Sequence, residues 1–151
     1  MFYRFQPLRA LLLACLLSSA SHAGVELKDL YGNSTPFESL KGKWVFINYW
    51  AEWCQSCLDE IPELNRFYEK HRSTNVAFFA VNYDGLPEFK QKKLARYFKI
   101  QYPNLSHDPA RALNLGDITG VPVTFVFNPQ GKLVKKLFGG QSAGDLERVI
   151  R

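Results

Sequence analysis

The amino-acid sequence predicts an α/β protein in which helices flank a central mixed β-sheet. Apolar strand-like runs alternate with segments of helical period over the first two thirds of the chain, an order typical of a layered sheet with parallel strands. Two later strand-like runs flank the turn 128–131, which predicts an antiparallel hairpin and makes the sheet mixed. The chain has 151 residues, 46% of them hydrophobic and 22% charged. Such a chain supports one globular core and one domain.

The first 23 residues predict a secretory signal peptide that is cleaved after Ala23. Arg4 and Arg9 precede the apolar run 10–17, and small residues follow it, which is the order of an export signal. The run is much shorter than the roughly 20 residues that a membrane-spanning helix needs. We therefore expect a mature domain, 24–151, that is exported to the periplasm.

A second interpretation of this leader is lipidation. The sequence Leu-Leu-Ala-Cys ending at Cys15 resembles a bacterial lipoprotein box, in which Cys15 would carry lipid and become the new N-terminus. Cleavage after Ala23 would instead remove Cys15. The mature chain would then keep two cysteines, Cys54 and Cys57.

The first half of the domain predicts a hairpin, a buried strand and an amphipathic helix. Turn residues at 31–34 separate two short segments within 25–40, as in a β-hairpin. The run 44–50 is nearly continuous in apolar, aromatic and β-branched residues, which indicates a strand covered on both faces. Over 54–72 the apolar residues recur every three or four positions, as on one face of a helix: Leu58, Ile61, Leu64, Phe67 and Tyr68.

A second strand and helix follow. Residues 76–81 are all apolar and indicate a buried strand. Over 87–100 we expect a helix whose buried side consists of Phe89, Leu94, Tyr97 and Phe98. Its basic residues are interpreted as one solvated helix face, so no nucleic-acid partner is expected. They are Lys90, Lys92, Lys93, Arg96 and Lys99. Cleavage of the leader would remove two of the 19 bases and none of the 14 acids, which leaves 17 bases against 14 acids and an unremarkable net charge near +3.

The last third predicts the end of the sheet. A short helix is expected over 109–115 within an otherwise irregular stretch. Strands at 121–127 and 133–138 should pair as a hairpin. Two glycines then lead into a closing helix from about Ala143.

The motif Cys54-Gln55-Ser56-Cys57 carries the predicted chemistry. It directly follows a buried strand and opens a helix, where unpaired N–H groups stabilise a negative charge. Cys54 is therefore expected to be the attacking thiolate. Cys57 lies one turn further on the same helix face, within reach of the mixed disulfide that Cys54 forms with a client.

Other uses of two cysteines fit the sequence less well. Zinc would need further ligands, and His71 and His107 are isolated in sequence. Covalent haem would need a histidine where Leu58 stands. A structural disulfide stays open as an alternative, because exported proteins use them freely. We expect no metal and no organic cofactor, only the redox-active disulfide.

Three motifs together resemble the thioredoxin superfamily, and within it the exported TlpA/ResA-like thiol–disulfide oxidoreductases. They are the run 48–57 (NYWAEWCQSC), then Glu60 and Pro62, then the run 120–125 (GVPVTF). The likeness extends from about Val25 to the C-terminus. It implies a thioredoxin-like fold with an N-terminal β-hairpin.

The resemblance also implies roles for residues outside the cysteine pair. Pro122 would be a cis-proline facing the pair, and the backbone of Val121 would bind the client chain as a short β-strand. Trp53 would offer clients an apolar contact.

Proton transfer is the role that the resemblance implies for Glu60. Asn48 stands where cytoplasmic thioredoxins carry a buried aspartate, and the exported reductases have a glutamate at the place of Glu60. A partly buried carboxyl there would have a raised pKa and would exchange the proton of Cys57. The alternative is a surface glutamate that favours the helix start electrostatically.

The expected activity is reduction of client proteins that carry cysteine pairs, with electrons supplied by a membrane thiol–disulfide donor. Apocytochrome c or a copper-site assembly protein are the clients that the resemblance suggests, and the protein is expected to act as a monomer. Ser56 departs from the proline that the family usually has before the second cysteine, which leaves the redox potential open. Two alternatives therefore remain: a disulfide oxidase or isomerase, and a non-catalytic binding module.

Overall fold

The computed structural model describes residues 24–151. The predictions on residues 1–23, a signal peptide or a lipid on Cys15, lie outside these residues. The strands are β1 Glu26–Lys28, β2 Ser34–Pro36, β3 Trp44–Trp50, β4 Val76–Asn82, β5 Asn104–Leu105, β6 Val123–Phe127 and β7 Leu133–Phe138. The helices are α1 Gln55–His71, α2 Glu88–Tyr97 and α3 Ala143–Val149, with a 3₁₀ turn over Phe37–Leu40.

The strands form a mixed five-stranded sheet in the order β5-β4-β3-β6-β7, and β1 and β2 form a separate antiparallel hairpin. Strand β3 pairs with β4 in parallel and with β6 in antiparallel orientation. It is thus the central strand, which explains why its residues are almost all apolar. The predicted fold class is confirmed, including the N-terminal hairpin.

Successive side chains of β3 point to opposite faces of the sheet and supply two cores. Phe46 packs edge-on against Phe67 of α1, with 5.1 Å between ring centroids, and stacks on Phe78 of β4 at 5.7 Å. On the other face, the ring of Tyr49 meets that of Phe125 of β6 at 5.7 Å. The first core holds α1 against the sheet, so that α1 begins where β3 ends.

The predicted buried side of α2 is only half right. Leu94 and Phe98 are partly buried, and the ring of Phe98 lies edge-on to Trp50 at 6.1 Å. Phe89 and Tyr97, by contrast, are 73% and 76% exposed. The four apolar positions do not share one face, because with 100° between successive helix positions the pair 94/98 is centred about 120° around the helix from the pair 89/97. Packing against Trp50 selected the face of 94/98.

The short helix predicted over 109–115 is not present. The chain there makes a single turn, in which Leu113 N–H donates to Pro109 O and Leu115 N–H donates to Ala110 O. Asn114 has a φ of 53°, and a left-handed residue at this point ends a helical turn. Leu113 and Leu115 are nonetheless buried in the core.

Strand β5 was not predicted. It has two residues, too few to form a recognisable apolar pattern, and it exists because Asn104 and Leu105 pair with β4 at the edge of the sheet. Within the described part of the chain, no helix is both long and apolar enough to span a bilayer.

A capping box begins α3 and yields a first prediction. Ser142 Oγ accepts a hydrogen bond from Asp145 N–H at 3.1 Å, and the Asp145 carboxylate accepts one from Ser142 N–H at 2.8 Å. Ser142→Ala is expected to lower the free energy of unfolding by about 1 kcal/mol in urea titrations, because one helix N–H loses its partner. The control is Ser73→Ala at an exposed position. Equal stability of the two variants would show that the cap contributes nothing.

Candidate active site

Cys54 lies at the junction between β3 and α1. It is the N-cap residue of α1, with extended backbone angles, and its Sγ accepts a hydrogen bond from Cys57 N–H at 3.2 Å. The sulfur therefore faces the unpaired N–H groups of the first helical turn, where the helix dipole favours negative charge. This is the geometry that stabilises a thiolate.

The two cysteines form a disulfide, with 5.2 Å between their Cα atoms. Cys54 is 6% exposed and Cys57 is fully buried. An incoming thiol or disulfide can therefore reach the sulfur of Cys54 and not that of Cys57. This difference in access fits the expected attacking role of Cys54 and resolving role of Cys57.

The segment that precedes β6 faces the disulfide. Val121 O lies 3.6 Å from Cys54 Sγ, and the Val121–Pro122 peptide bond is cis, as the resemblance implies. Val121 comes before the first residue of β6 and forms no backbone hydrogen bond within residues 24–151. Its N–H therefore has no backbone partner within these residues, which is what the predicted pairing with an extended client segment requires.

Glu60 is buried one turn beyond Cys57. Its side chain accepts hydrogen bonds from Asn48 Nδ2 at Oε1 and from Gln141 N–H at Oε2, both at 2.8 Å. Burial raises the pKa of Glu60 to about 7, although both of these donors lower it. The interpretation as a surface glutamate is wrong, because Glu60 is only 4% exposed. A carboxyl with this pKa exchanges protons readily at neutral pH.

Two partners of Glu60 were missed by sequence reasoning. Asn48 was noted only as the place of a missing carboxylate, yet its Nδ2 also donates to Thr124 Oγ1 at 3.0 Å and so is fixed towards Glu60. Thr124 could have been found from the sequence, because it is a polar residue in an otherwise apolar strand. Gln141 acts through its backbone N–H and left no signal in the sequence.

Trp53 presents an open aromatic surface beside Cys54. Its side chain is 63% exposed, its Nε1–H donates to the Asp84 carboxylate at 3.0 Å, and its ring lies edge-on to Tyr83 at 6.4 Å. Trp50, in contrast, is 2% exposed and packs in the core. The ring of Trp53 is thus held in position with one face open to solvent. No cluster of side chains suited to hold a metal ion occurs among residues 24–151.

Comparison with known proteins identifies the family. The model of the AhpC/TSA family matches residues 21–136, well over half of the chain. The chain belongs to the AhpC/TSA family. Among curated proteins, this AhpC/TSA chain is 30% identical over 124 residues to thiol-disulfide oxidoreductase ResA of Geobacillus kaustophilus (strain HTA426), covering 82% of the chain and 71% of that protein. For ResA of Bacillus subtilis (strain 168) the identity is 32% over 113 residues, covering 75% and 63%.

Solved structures agree with this assignment. The crystal structure of a thiol:disulfide interchange protein of the thioredoxin family from Chlorobium tepidum TLS matches with a TM-score of 0.73 and 27% identity, covering 83% of this chain and 90% of that one. The resemblance to the thioredoxin superfamily and to ResA-like oxidoreductases is therefore confirmed. This AhpC/TSA-family chain is a thioredoxin-like thiol–disulfide oxidoreductase.

The exposed ring of Trp53 leads to a second prediction. Trp53→Ala is expected to raise KM about fivefold or more for a disulfide-bonded model protein, because an aromatic anchor at an interface contributes more than about 1 kcal/mol. The rate with a small aromatic disulfide should change little. Tyr31→Ala, at another exposed aromatic, is the matched control. An unchanged KM for the model protein would show that Trp53 does not contribute to client binding.

Proposed function

We propose that this protein reduces disulfides of client proteins in the periplasm and is itself kept reduced by a membrane thiol–disulfide electron donor. The proposed clients carry cysteine pairs and are of the apocytochrome c or copper-site assembly type. The resemblance to exported reductases and the leader-like residues 1–23 support the location. The protein would act as a monomer.

The proposed direction of electron flow rests on the charges around the disulfide. Strong disulfide oxidants owe their potential to a reduced form in which the thiolate is stabilised. Here the N–H groups at the start of α1 stabilise the Cys54 thiolate but no cationic side chain adds to them, since the groups within hydrogen-bond distance of Cys54 Sγ in the described chain are all neutral: Cys57 N–H, Ser56 Oγ and Val121 O. The buried charge of this helix face is the acid Glu60, which disfavours a second anion on Cys57. Both features favour the disulfide over the dithiol form and hence a reductant.

The proposed reaction balances as two thiol–disulfide exchanges. The Cys54 thiolate attacks one sulfur of the client disulfide, forms a mixed disulfide and releases the other client sulfur as a thiolate, which takes a proton. Cys57 passes its proton to the Glu60 carboxylate and attacks Cys54 Sγ, which releases the second client thiolate. Two electrons thus move from the enzyme dithiol to the client. The membrane donor then reduces the Cys54–Cys57 disulfide again.

The reduction potential tests this direction and is the third prediction. The purified protein is equilibrated with dithiothreitol or glutathione redox buffers, and the fraction of Cys54–Cys57 disulfide is measured. We expect a potential close to that of thioredoxin, about −270 mV, and far from the value of about −120 mV found for a strong oxidant.

Two other results would refute the proposal. A potential near about −120 mV would make the protein an oxidase. A disulfide that resists dithiothreitol, together with no turnover of any model disulfide, would make it a non-catalytic binding module.

A further inference from the structure

Helix α2 exposes two large aromatic side chains, one of which, Tyr97, lies edge-on to the ring of Phe98 at 5.0 Å. Phe89 and Tyr97 are 73% and 76% exposed, and they lie eight residues apart on one face, about 12 Å along the helix axis. The opposite face contains the buried Gln91 and Ala95, which hold the helix against the domain. The exposed face therefore contributes little to folding and is available for binding.

Cations surround these aromatics. Lys90, Lys93 and Arg96 are exposed and, with 100° between successive helix positions, fall on the same face as Phe89 and Tyr97. None of the three cations forms an ion pair within the described chain. The acid of this helix, Glu88, pairs with Lys92 beside the face. The face is thus uniformly basic.

The turn of the N-terminal hairpin extends this surface. Tyr31 is 68% exposed, and Lys92 Nζ lies 5.9 Å from the centroid of its ring. Tyr31 and Arg96 also line one shallow cavity of about 300 Å³. Asp29 lines the same cavity, but its carboxylate accepts hydrogen bonds from Tyr31 N–H and Asn33 within its own loop. The hairpin turn thus adds a third aromatic to the basic face, while the charge of Asp29 is directed into its own loop by these hydrogen bonds.

We propose that this face of α2, together with Tyr31, binds peripherally to an anionic phospholipid surface. Helices that lie on membranes combine exposed aromatics with Lys and Arg, whose charges contact lipid phosphates while the rings enter the headgroup region. The α2 face has this composition. An acidic partner protein is the other ligand that cations and aromatics fit, and binding of pure lipid vesicles distinguishes the two. The proposal does not depend on the direction of electron flow at the disulfide.

Vesicle cosedimentation tests the proposal. The purified protein is mixed with vesicles of phosphatidylcholine alone or with about one third phosphatidylglycerol. Binding is expected to the anionic vesicles, weakened by salt, and not to the neutral ones. The double variant K90Q/K93Q should lose roughly tenfold or more in affinity, because each basic residue near an anionic surface adds about 1 kcal/mol. The variant F89S/Y97S should also bind more weakly.

Matched controls distinguish the effect of this face of α2 on vesicle binding from the effect of net charge alone. K132Q/K135Q removes two exposed lysines, one directly before β7 and one within it, which gives the same change in net charge, and F138S removes an aromatic of similar exposure, 70%. Both should bind vesicles like the parent. Every variant carries the same residues 1–23, so any contribution of that segment to binding cancels in the comparison. All variants should reduce a small disulfide at the parent rate.

Three outcomes would overturn the proposal. The first is equal binding to neutral and anionic vesicles. The second is an equal loss of vesicle affinity in K90Q/K93Q and K132Q/K135Q. The third is no binding to anionic vesicles at low salt. If the third outcome occurred while K90Q/K93Q slowed reduction by a natural electron donor, the face would belong to an acidic protein partner.

Discussion

Replacing Cys57 with alanine is expected to stop turnover and leave client proteins covalently bound to Cys54. Cys54 keeps its place at the start of α1 and so its capacity to attack a client disulfide. Without Cys57 the mixed disulfide must await an external thiol. An attack within the molecule has a far higher effective concentration than millimolar thiol, so turnover should fall by about a thousandfold or more. Mass spectrometry of the trapped adducts from the native cell then identifies the clients.

The control for this trapping is the variant Cys54→Ala. Cys57 is fully buried, so on its own it should capture no client even though a thiol is still present. Adducts in both variants at similar levels would contradict the assignment of Cys54 as the accessible, attacking residue. No adducts in the Cys57→Ala variant would contradict turnover through a mixed disulfide.

Glu60→Gln is expected to remove most of the pH dependence of stability between pH 4 and 8. The pKa of Glu60 is raised from its ordinary 4.5 to about 7 by burial, so the folded protein binds this proton more tightly than the unfolded chain. The resulting stabilisation is complete below pH 4.5 and is lost as the pH rises through 7. A shift of this size corresponds to roughly 3 kcal/mol in the free energy of unfolding. Urea titrations of the oxidised protein at several pH values measure it.

Asp59→Asn is the matched control, since Asp59 is exposed on the same helix. It should keep the full pH dependence of the parent protein. The raised pKa of Glu60 would be refuted if the free energy of unfolding of the parent protein, compared with that of the Glu60→Gln variant, did not fall between pH 4.5 and 7. If Glu60→Gln also left the pH dependence of Cys57 reactivity unchanged, Glu60 would have no role in proton transfer.

The sequence by itself determined the elements that depend on local pattern. The run 44–50 could only be a strand buried on both faces, and the change of period at Cys54 set the start of α1. The cysteine motif at that junction predicted the thiol chemistry, and the superfamily followed from the resemblance carried by the runs 48–57 and 120–125 with Glu60 and Pro62. These signals are local because strand period, helix period and turn residues act over a few positions.

Tertiary packing alone decided the rest. The apolar residues of α2 allow two helix faces, and only the contact of Phe98 with Trp50 selects the buried one and leaves Phe89 and Tyr97 outside. The surroundings of Glu60 come from three segments that are far apart in sequence. Asn48 and Gln141 N–H meet Glu60 only once the sheet has formed. Burial energy and hydrogen bonds of this kind depend on which surfaces meet, and no local pattern encodes that.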